Sequence, residues 1–129
     1  MLPLTAVVVH RDPEAAAALA ASLLRHFHTV RIATSLEEVR AAIPRHRAEF
    51  AIVDLELVGI ADVQQLRRDF SSTSIVCTHR LADETMWAAA LAAGAIDCCH
   101  ASDVRSIVLA AMRSAQASRP GAAQRRLTG

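Results

Sequence analysis

Four apolar runs of this chain end in side chains able to do proton, metal or oxyanion chemistry. Ala6–Val9 runs into His10, Arg11 and Asp12, Phe50–Val53 stops at Asp54, Ser74–Cys77 leads to Thr78 and His79, and Ala95–Cys99 leads to His100. A carboxylate closing a buried run is costly to leave unpaired, so Asp54 needs either solvent or a positive partner. His10, His79 and His100, with Cys98 and Cys99 close by in sequence, offer a second chemistry, because imidazole, thiolate and carboxylate ligands suit Zn²⁺ or Cu²⁺. The three histidines follow separate runs, so no local ligand spacing marks them as a metal motif.

The elements that must position these residues are legible from periodicity. Val30–Ala33 completes a set of five short apolar runs, and the stretches between them have helical spacing. Strands alternating with helices imply a parallel sheet covered on both faces. The first helix is expected over Pro13–His28, with Asp12 as N-cap and Pro13 at the first helical position, and with Leu19, Leu23, Leu24 and Phe27 on its inner face. Ser35-Leu36-Glu37-Glu38 reads as a capping box opening a second helix that Pro44 limits. A third is expected over Ile60–Phe70 and a fourth over Ala82–Ala93, ended by Gly94. Ser102-Asp103 caps a fifth with the apolar stripe Val104, Ile107, Val108, Ala111 and Met112. In such a sheet, ligands bind beyond the carboxyl ends of the strands, where the four polar groups above converge.

Composition limits the function classes. The chain has 129 residues, 53% hydrophobic and 21% charged, which suits one globular domain. No run approaches the roughly 20 apolar residues of a membrane span, and no export signal opens the chain, so a cytoplasmic protein is expected. The net charge of +1 gives no argument for nucleic-acid binding across the domain. All 14 basic residues are arginine. The three cysteines show no C-x-x-C spacing and read as reduced, buried thiols. No nucleophile elbow, phosphate-binding loop or dinucleotide glycine fingerprint is present, so an enzyme is not expected. Residues 1–117 form the expected domain, and 118–129 read as a mobile basic tail or the start of a linker.

With the strand AIVDLEL carrying Asp54, the segment IVCTH carrying Thr78, the stretch LAAGAIDCC, and five strand–helix repeats, the chain resembles the receiver domains of two-component response regulators. The resemblance implies a flavodoxin-like doubly wound α/β fold with strand order 2-1-3-4-5. It puts Asp54 at the phosphoacceptor position and Thr78 at the switch-hydroxyl position. It also exposes departures. His10 and Arg11 occupy the positions of the acidic pair that holds Mg²⁺ in the family, with Asp12 one place later. Ala101 occupies the position of the lysine that binds phosphoryl oxygens, and Cys98 that of the switch aromatic. Arg11 thus replaces a metal-supporting carboxylate, and a bidentate Arg11–Asp54 ion pair in place of the cation is the expectation.

The reading that follows is an atypical receiver acting through protein–protein contacts, with Mg²⁺-dependent phosphorylation of Asp54 impaired or absent and no cofactor required. The alternative is a working phosphoacceptor regulating an output partner, in which Asp12 and Asp54 hold Mg²⁺. A transition-metal or redox module at the same edge is the third reading. The resemblance implies a histidine kinase or output partner and allows a homodimer through the fourth helix, fifth strand and fifth helix; on the fourth helix, Met86 and Trp87 are candidate anchors by residue type. It implies no membrane, and nucleic acid only through an output domain beyond this sequence.

Overall fold

The computed structural model describes residues 2–117, with side chains over 4–114; the expected basic tail, 118–129, lies outside them. Five strands, β1 (Leu2–Val9), β2 (Phe27–Ala33), β3 (Phe50–Asp54), β4 (Ser74–His79) and β5 (Asp97–His100), alternate with five helices, α1 (Pro13–Leu23), α2 (Leu36–His46), α3 (Ile60–Asp69), α4 (Glu84–Ala92) and α5 (Val104–Ala117). The strands form one parallel sheet in the order β2-β1-β3-β4-β5, as the resemblance implies.

Strand alternation sorts the core into two layers. Val7, Val9, Ala51, Val53, Ile75 and Cys77 face α2, α3 and α4 through Val39, Ile43, Val63, Leu66 and Ala90. Ala6, Val8, Phe50, Ile52 and Val76 face α1 and α5 through Leu19, Leu23, Ile107 and Ala111. Strands buried on both faces need apolar residues at consecutive positions, which explains the unbroken stretches Ala6–Val9, Phe50–Val53 and Ile75–Cys77, while the edge strand β2 is partly exposed and admits Arg31. The strand order reverses at β1 and β3, so the crevice at their carboxyl ends is where a ligand site belongs.

Several boundaries differ from the sequence expectation, each for a physical reason. The first helix ends at Leu23 and not His28. Phe27 is fully buried as the first residue of β2, its ring 5.8 Å from that of Phe50, while Leu24 is 45% exposed. The spacing 19, 23, 24, 27 suits a helical stripe, but Phe27 reaches the same core layer from a strand. Pro44 lies inside α2, in its last turn, and Arg47 closes the helix in the left-handed conformation at φ 50°. Glu38 accepts the Thr34 N–H at 2.7 Å instead of that of Ser35, while the Ser35 hydroxyl accepts Glu38 N–H at 3.1 Å as expected. α4 starts later than Ala82, capped by Asp83, which accepts Met86 N–H at 2.9 Å. β5 is shifted from Ala95–Cys99 to Asp97–His100, because Asp97 pairs with Val76. Gly94 does follow the end of α4, at φ +106°, where a side chain would strain the backbone and meet Arg67. Among the described residues no helix is long and apolar enough to cross a membrane.

Candidate functional site

Strand register brings the predicted residues to one edge. Val9 pairs with Val53, Asp54 with Thr78, and His79 with His100, so the polar residues that end β1, β3, β4 and β5 line up beyond the apolar core. Asp54 is 2% exposed and Thr78 1% exposed. Between this edge and α1 lies a cavity of about 470 Å³, bordered by His10, Arg11, Asp54, Glu56, Arg80 and Ala101. Ala101, the position expected to correspond to a lysine, lines this cavity without contributing charge.

The strands end in a repeated local device. His10 Nδ1 accepts the Asp12 N–H at 2.9 Å, Asp54 Oδ1 that of Glu56 at 2.9 Å, His79 Nδ1 that of Leu81 at 2.9 Å, and His100 Nδ1 that of Ser102 at 3.2 Å. Each is a side-chain acceptor satisfying the amide two residues on, as Asx turns do. In the three histidines Nδ1 is thereby an acceptor, which puts the proton of the neutral ring on Nε2.

The expected Arg11–Asp54 ion pair is not formed. Asp54 Oδ2 instead accepts the backbone N–H of Arg11 at 3.1 Å, and the buried carboxylate is thus solvated by two amides, one from the loop after β1 and one from its own loop. His10 Nδ1 lies 3.6 Å from Oδ2, beyond hydrogen-bond length and already engaged by Asp12 N–H. The Arg11 guanidinium goes to Glu56, its Nε 2.9 Å from Oε2. Arg80 Nε donates to Oε1 of the same carboxylate at 2.7 Å, and His79 Nε2 is 3.7 Å from it. Glu56 and Arg80 are functional candidates that sequence reasoning missed. The available signal was the second acid of AIVDLEL, two residues after Asp54.

Asp12 takes the role of helix cap: its Oδ1 accepts Glu14 N–H at 3.0 Å. The residues present therefore do not fit a Mg²⁺ ion, which demands octahedral oxygen donors. Of the acids at this edge, Asp12 serves α1, Glu56 is held between two guanidinium groups, and Asp54 has one oxygen on each of two amides. Among the described residues no three His, Cys, Asp or Glu side chains gather as a metal site, so the three histidines and the cysteines do not assemble the transition-metal cluster of the third reading. All three cysteines are free and buried. Burial pushes the Cys77 and Cys99 thiols up to about 12 and raises that of Cys98, which keeps them protonated and poor nucleophiles at neutral pH. Thr78 Oγ1 is buried without a hydrogen-bond partner among the described residues. A buried hydroxyl in that state beside Asp54 has an open place for an acceptor.

The Arg80 hydrogen bond, joined by the charge of Arg11, holds the Glu56 carboxyl below its ordinary value of 4.5. Asp69, hydrogen-bonded by Arg40, Glu38, bonded by Thr34, and Asp103, bonded by Ser106, are lowered as well. A carboxyl lowered on folding adds stability that is fully present above its unfolded value and lost as pH falls through the folded one. Thermal unfolding followed by circular dichroism is therefore expected to show a Tm insensitive to these groups near neutrality and falling below about pH 4.5. Glu56→Gln should make that acid limb shallower.

No family model matches the chain, and no curated protein does. Solved structures do. NtrX from Brucella abortus, determined in complex with ADP, is 18% identical with a TM-score of 0.81; the match covers 99% of this chain and 30% of that one, so this chain spans under a third of NtrX. A response regulator from Thermotoga maritima is 19% identical, with a TM-score of 0.75 over 87% of this chain and 97% of that one. The BeF3-activated N-terminal receiver domain of RstA from Klebsiella pneumoniae is 24% identical, with a TM-score of 0.72 over 84% and 95%. Strand order, the two helical layers and these matches together give the chain the fold of response-regulator receiver domains.

Proposed function

We propose that the chain is an atypical receiver module of two-component signalling, working through contacts with partner proteins while Mg²⁺-dependent phosphorylation of Asp54 is impaired or absent. The observation that carries this reading is the charge around Asp54. The acceptor-position carboxylate is present, buried and flanked by Thr78, but the end of β1 supplies His10 and Arg11 where metal-holding acids would stand, and Ala101 supplies no cation. In-line phosphoryl transfer relies on a metal and fixed cations to neutralise the charge that builds up on the transferred group. Here the end of β1 offers no acid pair to hold a metal, and the two arginines at this edge are already engaged by Glu56.

The face formed by α4, β5 and α5 is the proposed contact surface for an output protein or a second copy. Trp87 is 47% exposed there, its Nε1 donating to Asp97 Oδ1 at 3.2 Å, and Leu81 and Ile96 are exposed nearby. Tryptophan at a partly exposed position is the residue type most enriched among energetic anchors of interfaces. Met86, the other expected anchor, packs partly buried against the core instead.

Incubation with acetyl phosphate and Mg²⁺, followed by intact-mass analysis, tests the reading. No phosphorylated species is expected on a timescale of minutes to hours. Stoichiometric labelling that vanishes with EDTA and in Asp54→Asn would establish the alternative, a working phosphoacceptor.

A further inference from the structure

The loops after β1, β3 and β4 meet on one side chain. Glu56 is only 10% exposed, and each of its oxygens takes a separate guanidinium: Arg11 Nε on Oε2 at 2.9 Å and Arg80 Nε on Oε1 at 2.7 Å, with Arg80 N–H also directed at Oε1 at 3.3 Å. The arginines themselves are far more open, at 45% and 66% exposed. They reach inward from two loops to enclose an acid carried by the loop between them. Guanidinium groups recognise carboxylate and phosphate oxygens by the same charge-assisted hydrogen bonds. The buried Thr78 hydroxyl, unpartnered among the described residues, stands one strand away, next to Asp54.

We propose that Arg11 and Arg80 form a metal-free clamp for an oxyanion of the phosphate class, and that Glu56 is the clamp's resident occupant. A phosphate group and the Glu56 carboxylate then exclude one another at this position. The proposal deepens the receiver reading only in choosing phosphate as the relevant oxyanion. Its physical basis is tethering: a carboxylate held on the same chain competes at an effective concentration of millimolar or above, and a free anion has to exceed that to enter. Glu56 also ties the loops after β1, β3 and β4 together through these two arginines.

The test is a titration of the whole chain with inorganic phosphate in EDTA at constant ionic strength, followed by calorimetry and by the arginine Nε–H signals in NMR spectra. Wild-type protein should bind weakly. Glu56→Gln, which keeps the shape and loses the charge, and Glu56→Ala should each bind about tenfold or more tighter, as expected on removing a tethered competitor. The gain should vanish when Arg11→Gln and Arg80→Gln are added. If neither Glu56 variant binds phosphate more tightly, or if the gain survives loss of both arginines, the clamp does not exist. Melting curves identify a variant that fails to fold, and the other Glu56 variant then decides. The acetyl phosphate labelling above is a separate readout: it decides whether Asp54 accepts a phosphoryl group, whatever the affinity of the clamp.

Discussion

Arg11→Asp combined with Ala101→Lys is expected to raise acetyl phosphate labelling of Asp54 in Mg²⁺ on the order of 10²-fold, the scale on which a single well-placed charge or donor acts in a transition state. The double variant introduces one acid at the end of β1 and one cation after β5, at two of the three positions where, on the proposed reading, receiver charges are missing. Arg11→Asp alone should give a smaller gain, since it also frees Glu56 from one of its two guanidinium partners and leaves Arg80 in place. Asp54→Asn in the same background has to abolish the signal, because the acceptor oxygen is gone. Labelling of the double variant no faster than wild type would mean that charge is not the obstacle and that the packing of the edge loops is.

Phe50→Ala is expected to lower the unfolding free energy by about 3–5 kcal/mol, the usual cost of truncating a buried phenylalanine to leave a cavity. Phe50 is 2% exposed and packs against Phe27 with the ring planes tilted by 55°. Urea denaturation should show the midpoint falling while the slope stays constant. Leu24→Ala, on the residue that the turn after α1 leaves exposed, should change stability by no more than about 0.5 kcal/mol. The contrast checks the α1–β2 boundary directly, since a helix running on to His28 would bury Leu24 as well.

The contrast also shows which parts of the molecule can be read without coordinates. The central strands β1, β3 and β4 leave apolar runs because both their faces are covered, and caps such as Asp12 and Ser35 act through neighbours two or three residues away, so these elements are local consequences of residue type, while the strand order follows from the resemblance to receiver domains. Register does the rest for Asp54 and Thr78, which close consecutive strands and must lie side by side. The end of α1 was hidden because Phe27 satisfies helical spacing and strand burial alike. Pro44 lies inside the last turn of α2, where the amide it lacks costs one bond to the carbonyl four residues earlier, and the helix ends two residues on at His46. The partner of Arg11 was out of reach for another reason. Asp54 and Glu56 are two positions apart, and which of them receives a guanidinium depends on backbone amides already filling Asp54, a fact of loop geometry and not of composition.

The Nδ1-to-amide bond at His10 explains what a histidine can do in that position. An aspartate there would offer the same acceptor to the amide of Asp12 and would shape the same bend, while adding a negative charge to the rim of the crevice. Imidazole keeps the bend and withholds the charge. The turn and the attraction for divalent cations, which one acidic side chain combines, are separable properties, and at residue 10 the chain retains the first without the second.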